Sequence, residues 1–156
     1  MTNKLSICLW FDGGVEEAAK FYTEIFKNSK IISKEKSPSD NPSTKAGEVL
    51  VVEIELEGIK IQLLNGGSYF KLSEAASLVV NCEDQKEVDY YWEKLISGGG
   101  QESQCGWLKD KFGVSWQIVP KQLGELMSGP DKEKSKKVFN AMMKMKKIIV
   151  ADLENA

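Results

Sequence analysis

The sequence predicts an α+β fold in which one strand–helix–strand unit occurs twice. Residues 15–26 align without a gap on residues 85–96 at a constant offset of 70, with aromatic residues on aromatic and aliphatic residues on aliphatic positions. A second repeat, at an offset of 55, aligns residues 58–64 with 113–119 and matches Gln62 with Gln117. A repeat of this length is too long for a solenoid and suits a domain of two modules.

The first copy reads as a strand over 5–11, a turn at 12–14, a helix over 15–26 and a strand over 30–36. Proline and small polar residues over 37–44 predict an exposed loop. In the stretch 49–57, Val52, Ile54 and Leu56 alternate with glutamates, which indicates a half-buried strand with an acidic solvent face. Glu57 and Gly58 then predict a tight hairpin into a strand over 59–64.

The second copy repeats this order with a strand over 77–81, a helix over 85–97, a glycine stop at 98–100, and strands near 105–109 and 114–119. Asp84 and Glu87 have the spacing of a capping box at the start of its helix. Pro120 ends the copy, and a helical tail over 121–153 follows, with Pro130 at a helix start.

The tail has one apolar side, formed by Val138, Met142, Met145 and Ile149. Such a helix could lie on an anionic membrane, but the acidic balance of the chain favours packing against the sheet or against a partner subunit. The predicted organisation is thus one domain, with paired modules at about 4–66 and 75–120 within residues 1–120, and a helical extension over 121–156.

Composition excludes several classes of function. The chain has no histidine and no arginine, since all 21 basic residues are lysine, and its formal charge is −2. Histidine-dependent nucleophile pairs and imidazole-bound metals are therefore excluded. Nucleic acid is not an expected partner, because there is neither an arginine fork nor a basic field.

The expected location is the cytoplasm. Cys8, Cys82 and Cys105 are odd in number and widely spaced, so we expect buried, reduced thiols rather than disulfides or a zinc site. The start of the chain at 1–4 leads into only seven mostly apolar residues, which predicts neither a signal peptide nor a membrane span.

Seven short strings carry a family resemblance: LWFDG at 9–13, EEA at 16–18 with FY at 21–22, LNGG at 64–67, EVDYYW at 87–92, CGWLKD at 105–110 and GVSWQIVP at 113–120. Together they resemble the PhnB-like branch of the glyoxalase/bleomycin-resistance/dioxygenase superfamily, also called vicinal oxygen chelate proteins. Members of this branch are often labelled demethylubiquinone methyltransferase-like. The resemblance covers nearly the whole chain and implies two βαβββ modules forming a glyoxalase-like open cup, usually in a homodimer.

In metal-dependent relatives, the cup binds a divalent ion through one residue on the first strand and one on the last strand of each module. The resemblance places these positions at Ile7, Gln62, Ser77 and Gln117. An isoleucine, a serine and two neutral amides supply no charge and no imidazole. We therefore expect no metal and no other cofactor there.

The paired glutamines have two interpretations. They are either polar side chains in a wet cavity, or hydrogen-bonding groups for a small ligand where a relative would bind metal. The tryptophans at strand spacing, Trp10, Trp107 and Trp116, are similarly either core or ligand wall. The predicted ligand-binding residues are Gln62, Gln117, Ser77, Leu9, Val79 and Trp107. Residues 65–67 with Tyr69 and Phe70 form either a mobile lip over the cup or a plain turn between modules.

Two classes of function remain open. The first is a metal-free binding module for a small, partly apolar molecule. The second is a lyase or isomerase of the glyoxalase type that uses Glu, Lys or Cys side chains, and for it no catalytic residue is predicted. The methyltransferase activity that the family label suggests has no support from the residues, because a helix followed by three consecutive strands contradicts an S-adenosylmethionine-binding βαβ sheet.

Overall fold

The computed structural model describes residues 4–156. The prediction that the chain starts without a signal peptide concerns residues 1–4, of which 1–3 lie outside the described residues. The chain divides into two compact units, Met1–Leu72 (unit 1) and Ser73–Ala156 (unit 2). Each unit contains one βαβββ module, and the C-terminal helices belong to unit 2. The predicted α+β fold of two such modules with C-terminal helices is confirmed.

Unit 1 contains β1 (Ile7–Phe11), α1 (Val15–Ile25), β2 (Ser29–Lys36), β3 (Val49–Leu56) and β4 (Ile59–Asn65). Its sheet has the order β1-β4-β3-β2, in which only the β1–β4 pair is parallel. Alternate residues of β3 and β4, among them Val52, Ile54 and Leu63, are fully buried, as is the apolar stripe of α1. The buried face of the strands, which repeats every two residues, and the apolar stripe of the helix, which repeats every 3.6 residues, therefore share one core.

The predicted hairpin between β3 and β4 is confirmed. Glu57 and Gly58 both have positive φ angles, 48° and 83°, and Leu56 pairs with Ile59 across the loop. This is the geometry of a two-residue type I′ turn, whose twist matches that of the flanking strands.

Unit 2 contains β5 (Leu78–Cys82), α2 (Gln85–Ile96), β6 (Gln101–Glu102), β7 (Trp107–Lys109), β8 (Ser115–Pro120), α3 (Lys121–Ser128), α4 (Lys132–Met142) and α5 (Val150–Glu154). Its sheet order, β5-β8-β7-β6, repeats that of unit 1, and the β5–β8 pair is again parallel. The sequence did not predict β6, because two residues are too few to show an alternation.

The capping box of α2 is confirmed with one difference. Asp84 Oδ1 accepts a hydrogen bond from the backbone N of Glu87 at 2.9 Å, as expected. The Glu87 carboxylate accepts from the backbone N of Glu83, one residue earlier than the usual partner, at 2.8 Å. Both bonds satisfy amide groups that the first turn of a helix leaves unpaired.

The predicted helical tail is present, and its boundaries differ in detail from those expected. It contains three helices, and α4 begins at Lys132 with Asp131 as its N-cap rather than at Pro130. Val138, Ile148 and Leu153 form a core of their own, and Met142 and Met145 pack against it. The apolar side of the tail is therefore largely covered within unit 2. In the part of the chain from residue 4 onward, no helix is long and apolar enough to cross a membrane.

Gln85, at the start of α2, joins the tail to the module. Its Oε1 accepts from the backbone N of Val150 at 2.7 Å, and its Nε2 donates to the Ile148 carbonyl at 3.1 Å. Lys147 forms an ion pair with Asp89 of α2 at 2.7 Å, which lowers the pKa of that carboxyl, chiefly through their hydrogen bond. These contacts fix the tail against the second module.

Candidate functional site

The sheet of unit 2 has one face of buried side chains and one open face. Leu108, Trp116 and Ile118 are buried on the first. Val79, Trp107 and Gln117 are neighbours in the strand register and lie on the other, which we call the open face of unit 2. Val79 is 51% exposed there.

Gln117 is paired on this open face. Its Nε2 donates a hydrogen bond to Ser77 Oγ at 2.9 Å. Four of the six predicted ligand-binding residues, Ser77, Val79, Trp107 and Gln117, are thus brought together within unit 2. The pair leaves the carbonyl oxygen of the Gln117 amide as an acceptor and the Ser77 hydroxyl proton as a donor.

A cavity of about 130 Å³ adjoins the open face at Trp107, which pairs with Gln117 in the strand register. It is lined by Glu74, Gln101, Glu102, Ser103, Trp107, Leu108, Lys109 and Ser115. Ser115 is only 3% exposed, and its Oγ has no hydrogen-bond partner among residues 4–156. Sequence reasoning missed Ser115, because a serine next to a tryptophan within a strand looks like any other polar strand residue.

Lys109 provides the cation of this cavity. It lies opposite Ser115 in the register of β7 and β8, and opposite Gln101 of β6. The ammonium group forms an ion pair with Glu74, which lies just before β5. The hydrogen bond from Lys109 is the main cause that lowers the pKa of the Glu74 carboxyl.

In unit 1, the register corrects two predicted positions. Gln62 pairs with Cys8 of β1 and with Glu53 of β3, whereas Ile7 pairs with Ile61 and Leu9 with the buried Leu63. Ile7 and Leu9 therefore lie on the face that packs against the core, and Gln62 lies on the opposite face.

A difference in turn length is the reason for this correction. Three residues separate β1 from α1, whereas two separate β5 from α2. The helices repeat at an offset of 70, but Cys8 and Val79, the partners of the two equivalent glutamines, are 71 apart. A shift of one residue turns a strand side chain to the other face.

The cysteines differ from the expectation of three buried thiols. Among the described residues all three are free, but only Cys82 is buried; Cys8 is exposed and Cys105 is half-buried. Burial is the main cause that raises the pKa of Cys82 to about 12, with Glu87 and Asp84 adding to it. Although Cys8 counts as exposed, partial loss of contact with water raises the pKa of its thiol too. Both thiols are therefore protonated, and unreactive as nucleophiles, near neutral pH.

Trp10 connects β1 to the predicted lip over 65–70. Its indole N–H donates to the Gly67 carbonyl at 2.7 Å, and its ring meets that of Phe70 edge-on at 4.9 Å. A Cβ at Gly66 would lie 2.3 Å from the indole, so only glycine permits this contact. Tyr69, 85% exposed, stacks edge-on against Phe70. Trp10, Tyr69 and Phe70 thus form an aromatic cluster, with Tyr69 and Phe70 largely in solvent, and whether it acts as a lip stays a prediction.

The segments 105–110 and 113–120 are joined by hydrogen bonds to one side chain, Asp110. Asp110 is buried, and its carboxylate accepts from the backbone N of Phe112 and Val114, at 2.9 and 3.1 Å, and from Trp116 Nε1 at 2.8 Å. The carboxylate therefore holds the turn between β7 and β8. Trp116 is a core residue, whereas Trp107 of the same segments lies on the open face.

The residues at the family metal positions do not fit a divalent ion. Gln117 and Ser77 are neutral and bonded to each other, and Gln62 has beside it Cys8, whose raised pKa disfavours the thiolate a metal needs. Glu53 is paired with Lys60 at 3.7 Å. Residues 4–156 contain no group of three His, Cys, Asp or Glu side chains placed to hold a metal.

A larger cleft in unit 1, about 600 Å³, lies between the start of α1 and residues 47–49. Glu16, Glu17 and Glu48 line it together with Lys36. None of the predicted site residues lines this cleft, and Glu16 is already paired with Lys34 at 2.8 Å. The open face of unit 2 is therefore the stronger candidate.

Comparison with family models identifies the chain. Residues 3–119 match the model described as 3-demethylubiquinone-9 3-methyltransferase. This is the PhnB-like branch of the vicinal oxygen chelate superfamily. The chain belongs to this PhnB-like family. The match ends at the last strand, so α3–α5 lie beyond the part that defines the family.

Solved PhnB-like and related structures share the fold. A PhnB protein from Bacillus cereus, described as a candidate 3-demethylubiquinone-9 3-methyltransferase, has 32% identity over 76% of this chain and 99% of its own, with a TM-score of 0.67. Protein PA1353 from Pseudomonas aeruginosa has 16% identity over 76% and 98%, with a TM-score of 0.63. A comparison with curated proteins finds no significant match.

The fold likeness extends to the fosfomycin resistance protein FosX from Listeria monocytogenes, solved with Mn(II) and sulfate. It has 15% identity over 77% of this chain and 90% of its own, with a TM-score of 0.53. This PhnB-like chain therefore has the glyoxalase-like fold, and FosX shows that a protein of this fold binds a metal and an anion.

Proposed function

We propose that this PhnB-like protein binds a small organic molecule on the open face of unit 2, without a bound metal ion. The observation that carries the proposal is the Gln117–Ser77 pair, which lies beside a cavity containing a buried, unpartnered hydroxyl. Val79 and Trp107 supply apolar surface on the same face. A few polar groups among apolar walls are the usual composition of a small-molecule site.

The residue type at position 117 supports this proposal. Leucine or valine at position 117 would fill a structural sheet position without any hydrogen-bond requirement. Gln117 is half-buried and needs hydrogen-bond partners, which leucine or valine would not, so the polar pair is not the simplest choice for stability alone. Gln62, at the equivalent position of unit 1, is a second ligand-binding candidate on the same reasoning. Leu9 is not retained, because its face packs against the core.

Two alternatives have weaker support. A lyase or isomerase needs a group that moves a proton; the Gln117–Ser77 pair is neutral, and the nearby Lys109 and Glu74 are paired with each other. The methyltransferase activity in the family description would need a βαβ sheet with a glycine-rich turn, whereas each unit continues with three strands after its helix. The donor set on the open face of unit 2 favours binding without the metal that FosX carries.

The Gln117→Leu variant tests the proposal. The parent protein is first screened against a panel of small metabolites by ligand-observed NMR, and the variant is then titrated with the compounds that bind. We expect the free energy of unfolding of the variant to lie within about 1 kcal/mol of that of the parent, because leucine packs well in a sheet. We expect its affinity for the ligand to fall by tenfold or more.

Gln104→Leu is the matched control, since this exposed glutamine lies outside the open face in the same unit. It is expected to bind as the parent does. A panel in which nothing binds the parent, or a Gln117→Leu variant that binds normally, contradicts the proposed function.

We also propose that the protein is a homodimer in the cytoplasm, as its family resemblance implies. Because much of the tail core is internal to unit 2, the large apolar side chains left exposed for a partner at the end of α4 are Phe139 and, at its C-cap, Met143, which are 44% and 51% exposed. Light scattering at micromolar concentration is expected to give twice the chain mass. The Phe139→Ser, Met143→Ser double variant should weaken the dimer, whereas a parent protein that is monomeric throughout refutes it.

A further inference from the structure

We propose that unit 2 binds the carboxylate group of a small organic acid at Lys109 and Ser115, and that Glu74 of the same chain occupies this position when no ligand is bound. The inference rests on the proposed function, because it names the ligand class for the same open face. It adds an anchor, Lys109, and an internal competitor, Glu74.

The hydroxyl of Ser115 is the observation that points to a ligand. The residue is 3% exposed, lines the cavity, and has no hydrogen-bond partner for its Oγ. Buried hydroxyl groups in proteins are almost always hydrogen-bonded. A ligand oxygen that enters the cavity would accept the hydrogen bond that Ser115 has to give.

The ion pair of Lys109 and Glu74 identifies the charge of that ligand. Lys109 lies opposite Ser115 in the strand register, so a group beside one is within reach of the other. Its ammonium already holds a carboxylate, that of Glu74, whose side chain is 65% exposed and lies outside any strand or helix. A ligand carboxylate would make the same charge-assisted hydrogen bond and gain the one from Ser115.

The remaining lining of the cavity limits the ligand to a monoanion. The cavity, about 130 Å³, has room for about four water molecules at ~30 Å³ each. Gln101 and Ser103 add neutral hydrogen-bonding groups, and the Glu102 carboxylate is held by Trp92 Nε1 at 3.1 Å and paired with Lys146 at 3.5 Å, which leaves Lys109 as the lysine of the lining. One lysine beside a fixed carboxylate suits a carboxylate better than a doubly charged phosphate.

The test is a titration of the full-length protein with acetate, with acetamide as the uncharged probe of the same shape, at constant ionic strength. Binding is followed through the backbone amide signals of Ser115 and Lys109. The Lys109→Gln variant is expected to bind acetate about tenfold more weakly than the parent. Glu74→Gln is expected to bind it about two- to fivefold more tightly, because an exposed ion pair no longer competes.

Lys121 and Glu83 provide a matched control, since they form another exposed lysine–glutamate pair in unit 2, at 2.6 Å. Lys121→Gln and Glu83→Gln should leave acetate binding unchanged. The proposal is overturned if acetate binds none of the proteins, if acetamide binds as well as acetate, or if Glu74→Gln does not strengthen binding.

Failure of this inference is distinguishable from failure of the proposed function. If a neutral compound binds the parent and is lost in Gln117→Leu, while Lys109→Gln and Glu74→Gln have no effect on acetate, only the carboxylate assignment fails. If no compound of the metabolite panel binds, the proposed function itself fails.

Discussion

Replacing Asp110 with alanine is expected to destabilise unit 2 by about 3–5 kcal/mol, because several buried donors each lose an acceptor, at about 1–3 kcal/mol for each donor left unsatisfied. The carboxylate accepts three hydrogen bonds, and its loss leaves the N–H groups of Phe112, Val114 and Trp116 without these acceptors. Urea unfolding followed by tryptophan fluorescence measures the loss, because Trp92, Trp107 and Trp116 all lie in unit 2.

Two further variants make this measurement specific. Asp110→Asn keeps one acceptor oxygen and is expected to lose less stability than alanine. Asp12→Ala, an exposed aspartate in the turn before α1, should change the free energy of unfolding by no more than about 0.5 kcal/mol. A loss below about 1 kcal/mol in Asp110→Ala would mean that the turn between β7 and β8 does not depend on the carboxylate.

Gly106→Ala is expected to have the second largest effect. Gly106 has a φ of +83°, and a Cβ there would lie 2.9 Å from the backbone oxygen of Ile118 and 2.9 Å from a side-chain carbon of Ile148. The positive φ costs about 1 kcal/mol for alanine, and the contacts with β8 and the tail add about 1–3 kcal/mol of overpacking. The expected loss is therefore about 2–4 kcal/mol.

Gly113→Ala separates these two contributions. Gly113 has nearly the same φ, +89°, but no atom lies within 4 Å of its Cβ position. Alanine there should lose only about 1 kcal/mol, from the backbone conformation. Equal losses for the two variants in denaturant unfolding would show that the close approach of Gly106 to Ile118 and Ile148 contributes nothing.

The sequence predicted the order of strands and helices because each element has a strong local signal. Helix α1 has an apolar stripe at helical spacing, β3 alternates strictly, and the Glu57-Gly58 turn has the chemistry of a tight hairpin. Gln117 and Ser77 were predicted together because both copies of the repeat were aligned on their helices. That alignment holds in unit 2, where the two side chains meet.

The same alignment was wrong for the first strand of unit 1. The extra residue between β1 and α1 leaves the helical repeat intact, so no gap appears in the sequence comparison. Only the hydrogen-bonded register reveals that Cys8, not Ile7, lies beside Gln62. A one-residue error is harmless for naming a strand and decisive for naming a site, because it exchanges the two faces.

Lys109 and Ser115 were not predicted as site residues for a different reason. Their relation depends on the pairing of β7 with β8 and on a cavity that the segment carrying Glu74 helps to form. No periodicity in the sequence distinguishes one lysine from the other 20. A buried hydroxyl without a partner is a property of the folded unit and has no signature in the chain.

The hydrogen bonds by which Gln85 joins the tail to the second module affect the order in which contacts form during synthesis. The side-chain amide of Gln85 bonds to backbone groups of Ile148 and Val150, which are synthesised 63 and 65 residues later. The strand pairs of unit 1 all lie within residues 7–65, so every partner in that sheet is synthesised early. The contacts of Gln85 become possible only after residue 150 has emerged, so a ribosome stalled within the tail would leave α2 without them and unit 2 more accessible to chaperones and proteases.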